Sequence, residues 1–285
     1  MKPAAFAYAQ ARSLDHAIAL LSDNEDARIL AGGQSLMATL NMRLSSPSLL
    51  IDINCIEGLD AITERDGIVE IGALVRHAQA EQSPVIARAA PLIAAALPHI
   101  AHPAIRNRGT LAGSIAFADP AAELPACLMA LAGEVEIQGP DGKRRVHADD
   151  FFQGLFETAL GPHDIITAIR VPAARPQTRI GFAELARRHG DYAMVGLAAC
   201  ARADGQKLRD VRLCYFGVGA TPLRARQAEA LLTHGSDDDQ IEKACAALAQ
   251  DLDPADDVQA SGKVKLHLAG VLLKRVVRQL LEPRS

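Results

Sequence analysis

The chain has 285 residues, 49% hydrophobic and 22% charged, with a formal net charge of −4. That is ordinary globular usage, long enough for about two domains, and it excludes a disordered or collagen-like chain. The small negative charge and an aromatic content of 4% without Trp argue against a nucleic-acid surface, which needs a basic field and stacking platforms. The cysteines (Cys55, Cys127, Cys200, Cys214 and Cys245) are odd in number and form no CxxC pair. Free thiols in a reducing, cytoplasmic setting are therefore expected, rather than a disulfide framework or a zinc ribbon. Met1 to Phe6 lacks the apolar region of a signal peptide, and no apolar stretch reaches the length of a transmembrane segment.

The chain opens with a short apolar run around Phe6 and Tyr8. Ser13 then stands where it can cap a helix whose buried stripe is Leu14, Ala17, Ile18 and Leu21. Arg28–Ala31 reads as a second strand, 36–44 as a helix with Ser35 as its N-cap, and Leu49–Ile53 as a third strand. Two strand–helix–strand crossovers in so short a space favour a small parallel sheet. Beyond Gly58 the pattern becomes α+β with mostly antiparallel strands. Asp66-Gly67 marks a hairpin between 61–63 and 68–71, and Ala-rich helices span 83–97. His99–Gly113 reads as a loop without period. A second hairpin turns at Gly139-Pro140-Asp141-Gly142, and a strand over 165–171 is stopped by Pro172. Residues 172–178 read as a linker. An antiparallel meander follows over 180–185, 195–202 and 208–216. The acidic run Asp237-Asp238-Asp239 reads as a solvated helix cap. A final helix carries Val264, Leu268, Leu272, Val276 and Leu280 at steps of four, between Gly262 and Pro283.

Three segments carry the chemistry. Ala31-Gly32-Gly33-Gln34-Ser35 joins a strand to a helix. Consecutive glycines let a ligand approach the backbone, and their N–H groups together with the helix start can hold a phosphate; the same residues also suit a plain tight turn. Arg106-Asn107-Arg108-Gly109-Thr110-Leu111-Ala112-Gly113-Ser114 reads either as a second phosphate cradle or as a solvated basic turn. A diphosphate held by two neighbouring cradles would account for both segments. In Asp119-Pro120-Ala121-Ala122-Glu123-Leu124-Pro125, Asp119 can cap a turn, Pro125 can open a helix, and Glu123, just before it, can accept from ribose hydroxyls or serve helix-start electrostatics. Gly217-Val218-Gly219-Ala220-Thr221-Pro222 is no dinucleotide fingerprint, because Pro222 stands at the third glycine position; P-loop and nucleophile-elbow motifs are absent. His99 and His102 read as packing or surface histidines, since no nearby carboxylate completes a zinc set.

Together, Ala31–Leu36, Arg106–Ser114 and Asp119–Pro125 resemble the FAD-binding medium subunit of molybdenum hydroxylases, of the carbon monoxide dehydrogenase and xanthine dehydrogenase type. The likeness continues at Phe151-Phe152-Gln153-Gly154 and Arg187-Arg188-His189-Gly190-Asp191-Tyr192-Ala193 and covers nearly the whole chain. The resemblance implies an α+β fold: an FAD-binding domain over 1–175, with subdomains over 1–57 and 58–175, then a smaller domain over 176–285. It implies FAD with its pyrophosphate against Ala31–Ser35 and Thr110–Ser114, and cofactor-binding residues Ala31, Gly32, Gly33, Gln34, Ser35, Leu36, Arg106, Asn107, Thr110, Leu111, Ala112, Gly113 and Ser114; neither loop carries the His or Cys that covalent attachment usually needs, so the FAD is expected to be non-covalent. By the same resemblance Glu123 lies near the cofactor, Ile165 and Ile166 pack near the flavin, and Tyr192 approaches the isoalloxazine ring. Two departures from the family pattern stand out: Ala112 replaces the first of a glycine pair, and the region shortly before the paired arginines, where many relatives carry a lysine, has Glu184.

The resemblance further implies an electron-transfer subunit with no general base of its own. An iron–sulfur small subunit and a molybdopterin large subunit would be its partners, in a dimer of heterotrimers. Two [2Fe–2S] clusters would take about eight Cys ligands, which these scattered cysteines cannot supply. The alternatives are a stand-alone flavin reductase or oxidase of related fold and a scaffold subunit that has lost its flavin.

Overall fold

The computed structural model describes residues 2–205 and 207–282. The first unit consists of β1 (Ala7–Gln10), α1 (Leu14–Ser22), β2 (Arg28–Leu30), α2 (Leu36–Asn41) and β3 (Leu49–Asp52). Its strands are parallel, in the order β1-β3-β2. β3 takes the centre because Leu49, Leu50 and Ile51 are all buried and need cover on both faces. Ser13 Oγ accepts from the His16 N–H at 3.1 Å and caps α1 as expected. The helix α2 is shorter than the sequence suggests; it ends at Asn41, and Arg43 already has a φ of 57°.

The second unit contains the strands β4 (Ile62–Arg65) and β5 (Ile68–Gly72) and a run of short helices: α3 (His77–Glu81), α4 (Pro84–Ala89), α5 (Pro91–Ala96), a 3₁₀ turn (Leu97–His99), α6 (Pro103–Arg106), α7 (Leu111–Phe117) and α8 (Glu123–Ala130). Then follow β6 (Glu134–Gly139), β7 (Gly142–His147), α9 (Ala148–Phe151), the small pair β8 (Phe152–Gly154) and β9 (Glu157–Thr158), and β10 (Ile165–Pro172). The turn between β4 and β5 places Asp66 at φ 53° and Gly67 at φ 74°, the left-handed pair that a two-residue hairpin requires. The sheet order is β4-β5-β10-β6-β7, so the late strand β10 inserts between two earlier hairpins.

Two expectations need correction here. Residues 99–113 are not a featureless loop, since they contain α6 and the start of α7. Elements of four and seven residues are too short for a helical period to declare itself. Glu123 does not precede α8 but is its first residue, and Pro125 is the third. A proline is tolerated there because the first N–H groups of a helix have no intrahelical acceptor.

The third unit is an antiparallel sheet β11-β12-β13-β14, from β11 (Thr178–Leu185), β12 (Val195–Asp204), β13 (Lys207–Phe216) and β14 (Leu223–Arg224). It is followed by α10 (Arg226–His234), α11 (Asp238–Asp251) and α12 (Gly262–Leu281). Asp237 caps α11, its carboxylate accepting from the Gln240 N–H at 2.9 Å. The expected stripe of α12 is only half right: Leu272, Val276 and Leu280 are buried, but Val264 is 47% exposed and Lys265 is buried instead. Each step of four residues turns about 40° past a full turn, so the stripe drifts off the core face. Lys265 is held by Asp257 at 2.6 Å and by the Gly217 carbonyl at 3.2 Å, and this pairing lowers the Asp257 carboxyl to about 2. Pro283, the expected helix stop, lies outside the described residues.

The alternation of β12 and β13 gives this sheet two buried faces. Leu197, Ala199, Leu213 and Tyr215 pack in the cluster beneath α10–α12, whereas Ala198, Cys214 and Phe216 join the core of the second unit. The helix α8, buried along its whole length, lies between the two sheets. The segment read as a linker is tied down as well: the Ala173 N–H donates to Gly67 and the Ala174 N–H to Ala89, both at 2.8 Å. Phe216, fully buried, stacks on Phe182 with centroids 5.9 Å apart. Phe216→Ala is expected to cost about 3–5 kcal/mol through the cavity it leaves, read as a drop in melting temperature; a change of less than 1 °C would show that Phe216 does not anchor this sheet in the core of the second unit.

Candidate functional site

A cleft of about 520 Å³ opens between the parallel unit and the helices α6–α8, with residues 190–192 at its rim. Its first wall is the loop from β2 to α2. Gly33 has a φ of +72°, a conformation that L side chains rarely adopt. At Gly32 the constraint is contact: a Cβ there would collide with the Arg108 carbonyl oxygen and lie 2.8 Å from the Gly109 Cα. The two glycine-bearing loops thus cross backbone to backbone. Gln34 folds over its own loop, donating from Nε2 to the Gly32 carbonyl at 3.1 Å. Ser35 occupies the N-cap position of α2, but its hydroxyl makes no cap hydrogen bond and lines the cleft instead.

The second wall is the start of α7. Thr110 caps it, with Oγ1 accepting from the Gly113 N–H at 3.0 Å. A Cβ on Gly113 would sit 2.6 Å from that oxygen, so glycine is what lets the cap form. Thr110, Ala112, Gly113 and Ser114 line the cleft together with Ala31–Leu36. Ala112 sits in the first turn of α7 without a positive φ, so the backbone there does not demand glycine.

Three residues expected to bind the cofactor are placed elsewhere. Leu111 is 1% exposed and belongs to the hydrophobic core. Arg106 turns away from the cleft to bind Glu81 at 3.0 Å and the Ile100 carbonyl at 3.0 Å. Asn107 is exposed and is not part of the cleft wall. Arg108 lines a separate cavity of about 420 Å³ behind the first loop.

Deeper in, Ile165 and Ile166 are buried and line the cleft; β10 bulges against β6 between Ile166 and Ala168. A bulge re-aims a strand locally, which suits two consecutive residues to one cavity. Glu123 is 8% exposed on the cleft wall, and burial pushes its carboxyl up to about 7. Asp119 is raised chiefly by burial, offset by the Ala121 N–H it accepts at 2.9 Å. Tyr192, 60% exposed, stands at the mouth beside Asp119. Glu184 does not line the cleft. Its buried carboxylate pairs with His99 Nδ1 at 3.2 Å, and that hydrogen bond raises the His99 imidazole.

Sequence reasoning missed His77 and Arg76. The Arg76 guanidinium donates to the Arg108 carbonyl and, at 2.5 Å, to Asn54 Oδ1, fastening the second loop to the end of β3. His77 is 5% exposed, lines the cleft and is held near pH 4 by burial. Neither residue belongs to a local motif; a polar pair directly after the buried run Ala73-Leu74-Val75 was the only signal.

With two glycine loops converging on one elongated cleft, the fold and site define a dinucleotide-type binding protein. The comparisons say which. Residues 4–174 match the family described as FAD binding domain in molybdopterin dehydrogenase, and residues 181–280 match the CO dehydrogenase flavoprotein C-terminal domain. The 6-hydroxypseudooxynicotine dehydrogenase complex subunit alpha of Paenarthrobacter nicotinovorans is 39% identical, covering 99% of this chain and 96% of its own length. The carbon monoxide dehydrogenase medium chain of Hydrogenophaga pseudoflava is 35% identical over 97% of both chains. A structure of reconstituted CO dehydrogenase from Oligotropha carboxidovorans superposes with a TM-score of 0.96 at 34% identity, covering 100% of both chains. The chain belongs to the FAD-binding medium subunits of the molybdenum hydroxylase family, which are oxidoreductase subunits. Among the described residues, no helix is long and apolar enough to cross a membrane.

The raised Glu123 carboxyl has a consequence for stability. Between its ordinary value of 4.5 and about 7, the folded chain holds a proton that the unfolded chain has released. Its contribution to stability therefore falls as pH rises through that window. Flavin-free Glu123→Gln is expected to melt above wild type at pH 8, by up to about 3 kcal/mol, and to converge with it near pH 4.5. Coincident melting curves at pH 8 would contradict the assignment.

Proposed function

We propose that the cleft holds FAD without a covalent bond and that the chain is the electron-transfer subunit of a heteromeric molybdenum hydroxylase. In this reading it takes electrons from an iron–sulfur small subunit, beside a molybdopterin large subunit, and passes them to an external acceptor. The observation that carries the reading is the crossing of the two loops at Gly32 and Gly109, which brings Ala31–Leu36 together with Thr110, Ala112, Gly113 and Ser114 in the wall of one cleft, with glycines where side chains would otherwise fill it.

The residues present fit the cofactor. The diphosphate would lie against Gly32–Ser35 and Thr110–Ser114, where the glycines let an anion approach the backbone. Glu123, its carboxyl raised to about 7 by burial, would accept from a ribose hydroxyl when ionised and donate to one when protonated. Ile165 and Ile166 would exclude water from the isoalloxazine end, with Tyr192 at its entrance. When bound, the flavin supplies reversible two-electron chemistry, while the protein contributes binding and orientation. The cleft is lined by no cysteine, and its one histidine, His77, lies against Gly109 rather than at Ile165–Ile166, which supports non-covalent attachment. The division into an FAD domain over 1–175 and a C-terminal domain over 176–285, a dimer of heterotrimers and a cytoplasmic location belong to the same proposal. All five cysteines being free supports the last of these.

Gly33→Val is expected to leave a folded chain with less than about a tenth of the wild-type flavin, because a β-branched residue resists the positive φ and would press on Leu30 and Met37, displacing the loop. Near-normal flavin in the folded variant would remove this loop from the phosphate site. Acid precipitation of the wild-type protein should release the yellow colour into the supernatant; flavin retained in the pellet would mean a covalent link. Purified alone, the chain should carry flavin that dithionite reduces but should oxidise no heteroaromatic, aldehyde or carbon monoxide substrate. Turnover, and co-purification, should appear on co-expression with iron–sulfur and molybdenum subunits. Turnover by the lone chain in a preparation free of iron and molybdenum would favour a self-sufficient flavoenzyme.

A further inference from the structure

A dinucleotide brings a dianionic diphosphate into the cleft, and the cleft wall holds little positive charge to meet it. Among the described residues that line it, four carry carboxyl groups (Asp119, Glu123, Asp164 and Asp191), and the one lysine or arginine is Arg28. The carboxyls are only partly offset. Asp164 is paired with Arg144 at 2.6 Å, and burial raises Glu123 to about 7. The arginines around the second glycine loop are turned elsewhere. Arg106 binds Glu81, Arg76 is committed to the Arg108 carbonyl and to Asn54, and Arg108 lines the separate cavity behind the first loop.

Arg28 opens β2, an edge strand of the parallel unit that runs directly into the first glycine loop. At about 3.3 Å per residue its Cα stands about 10 Å from that of Ala31. The residue is exposed, and its guanidinium makes one hydrogen bond, from Nη1 to the neighbouring Ala27 carbonyl at 2.8 Å. Among the described residues it has no ion-pair partner. The rest of its donor fork is therefore free, accessible and attached to a charge that nothing in the chain neutralises.

We infer that Arg28 is the counter-charge of this site, a binding residue whose guanidinium holds the diphosphate by charge and offsets the carboxyls around it. The inference rests on the reading of the cleft as an FAD site and adds a cation to a cradle otherwise made of glycines and hydroxyl groups. Without that cation the dianion would enter a wall whose formal charge is negative. Inside a cleft, where the effective dielectric is well below that of water, a unit charge acts on a dianion over several ångströms with little screening. The role is one of charge, so an ammonium at the same position serves it nearly as well as a guanidinium.

The test titrates flavin-free full-length protein with FAD, following flavin fluorescence, and with two competitors. ADP carries the diphosphate without the flavin, and inorganic pyrophosphate carries it without any ring. Arg28→Gln should weaken all three by about tenfold. Arg28→Lys, which keeps the charge, should recover most of that loss. Flavin-free Arg28→Gln should melt with wild type, as an exposed side chain without an ion-pair partner implies. Raising the salt tenfold should weaken ADP several-fold in wild type and less in Arg28→Gln. FAD and ADP affinities within twofold of wild type in Arg28→Gln would overturn the inference while leaving the FAD site itself intact. Weakened ADP with unchanged pyrophosphate, and Arg28→Lys no better than Arg28→Gln, would also overturn it, since the side chain would then be packing on a ring. Should the variants fail to fold, the wild-type protein decides: ADP affinity that does not fall with salt would refute a role of charge. Failure of wild type to bind FAD at all would instead refute the reading of the cleft.

Discussion

Two backbones pass within contact distance at Gly32 and Arg108–Gly109, and no Cβ fits between them. That crossing holds the parallel unit against the helical one and decides where the cleft lies. Around it the fasteners are polar and partly buried. Arg76 reaches across to the Arg108 carbonyl and to Asn54, and Asn54 in turn donates to the Ala31 carbonyl at 2.9 Å. The loops are therefore fixed by the protein before any ligand arrives, which reduces the ordering that binding must offset.

The second organising element is α8. Every residue from Glu123 to Ala130 is buried, because one side of the helix meets the second unit and the other meets β12 and β13. A carboxylate at the first turn of such a helix gains from the N-terminal dipole but loses its water, and desolvation wins here. The nearby Glu184–His99 pair adds to the effect: the Glu184 charge opposes ionisation of Glu123, whereas His99 favours it.

Much of the site could be read along the chain. The glycine loop at 31–35, the Thr110 cap with Gly113 and the Asp66-Gly67 hairpin are local devices, each specified by residues within a few positions of one another. The misreadings came from residues whose partners are distant. Arg106 looked like a phosphate ligand because it flanks the loop, yet Glu81 and the Ile100 carbonyl claim its guanidinium. Leu111 belongs to the same motif but points into the core.

The sequence by itself determined the family, the two phosphate-type loops, the parallel opening and the α+β character, because turn chemistry, capping and alternation act between chain neighbours. Only the tertiary structure decided that β10 inserts between the β4–β5 and β6–β7 hairpins, that both faces of β12 and β13 are buried, and that the His77 ring comes to rest, buried, against Gly109. Those outcomes depend on which surfaces find cover when the whole chain packs. Burial is settled between residues far apart in sequence, so no local pattern records it.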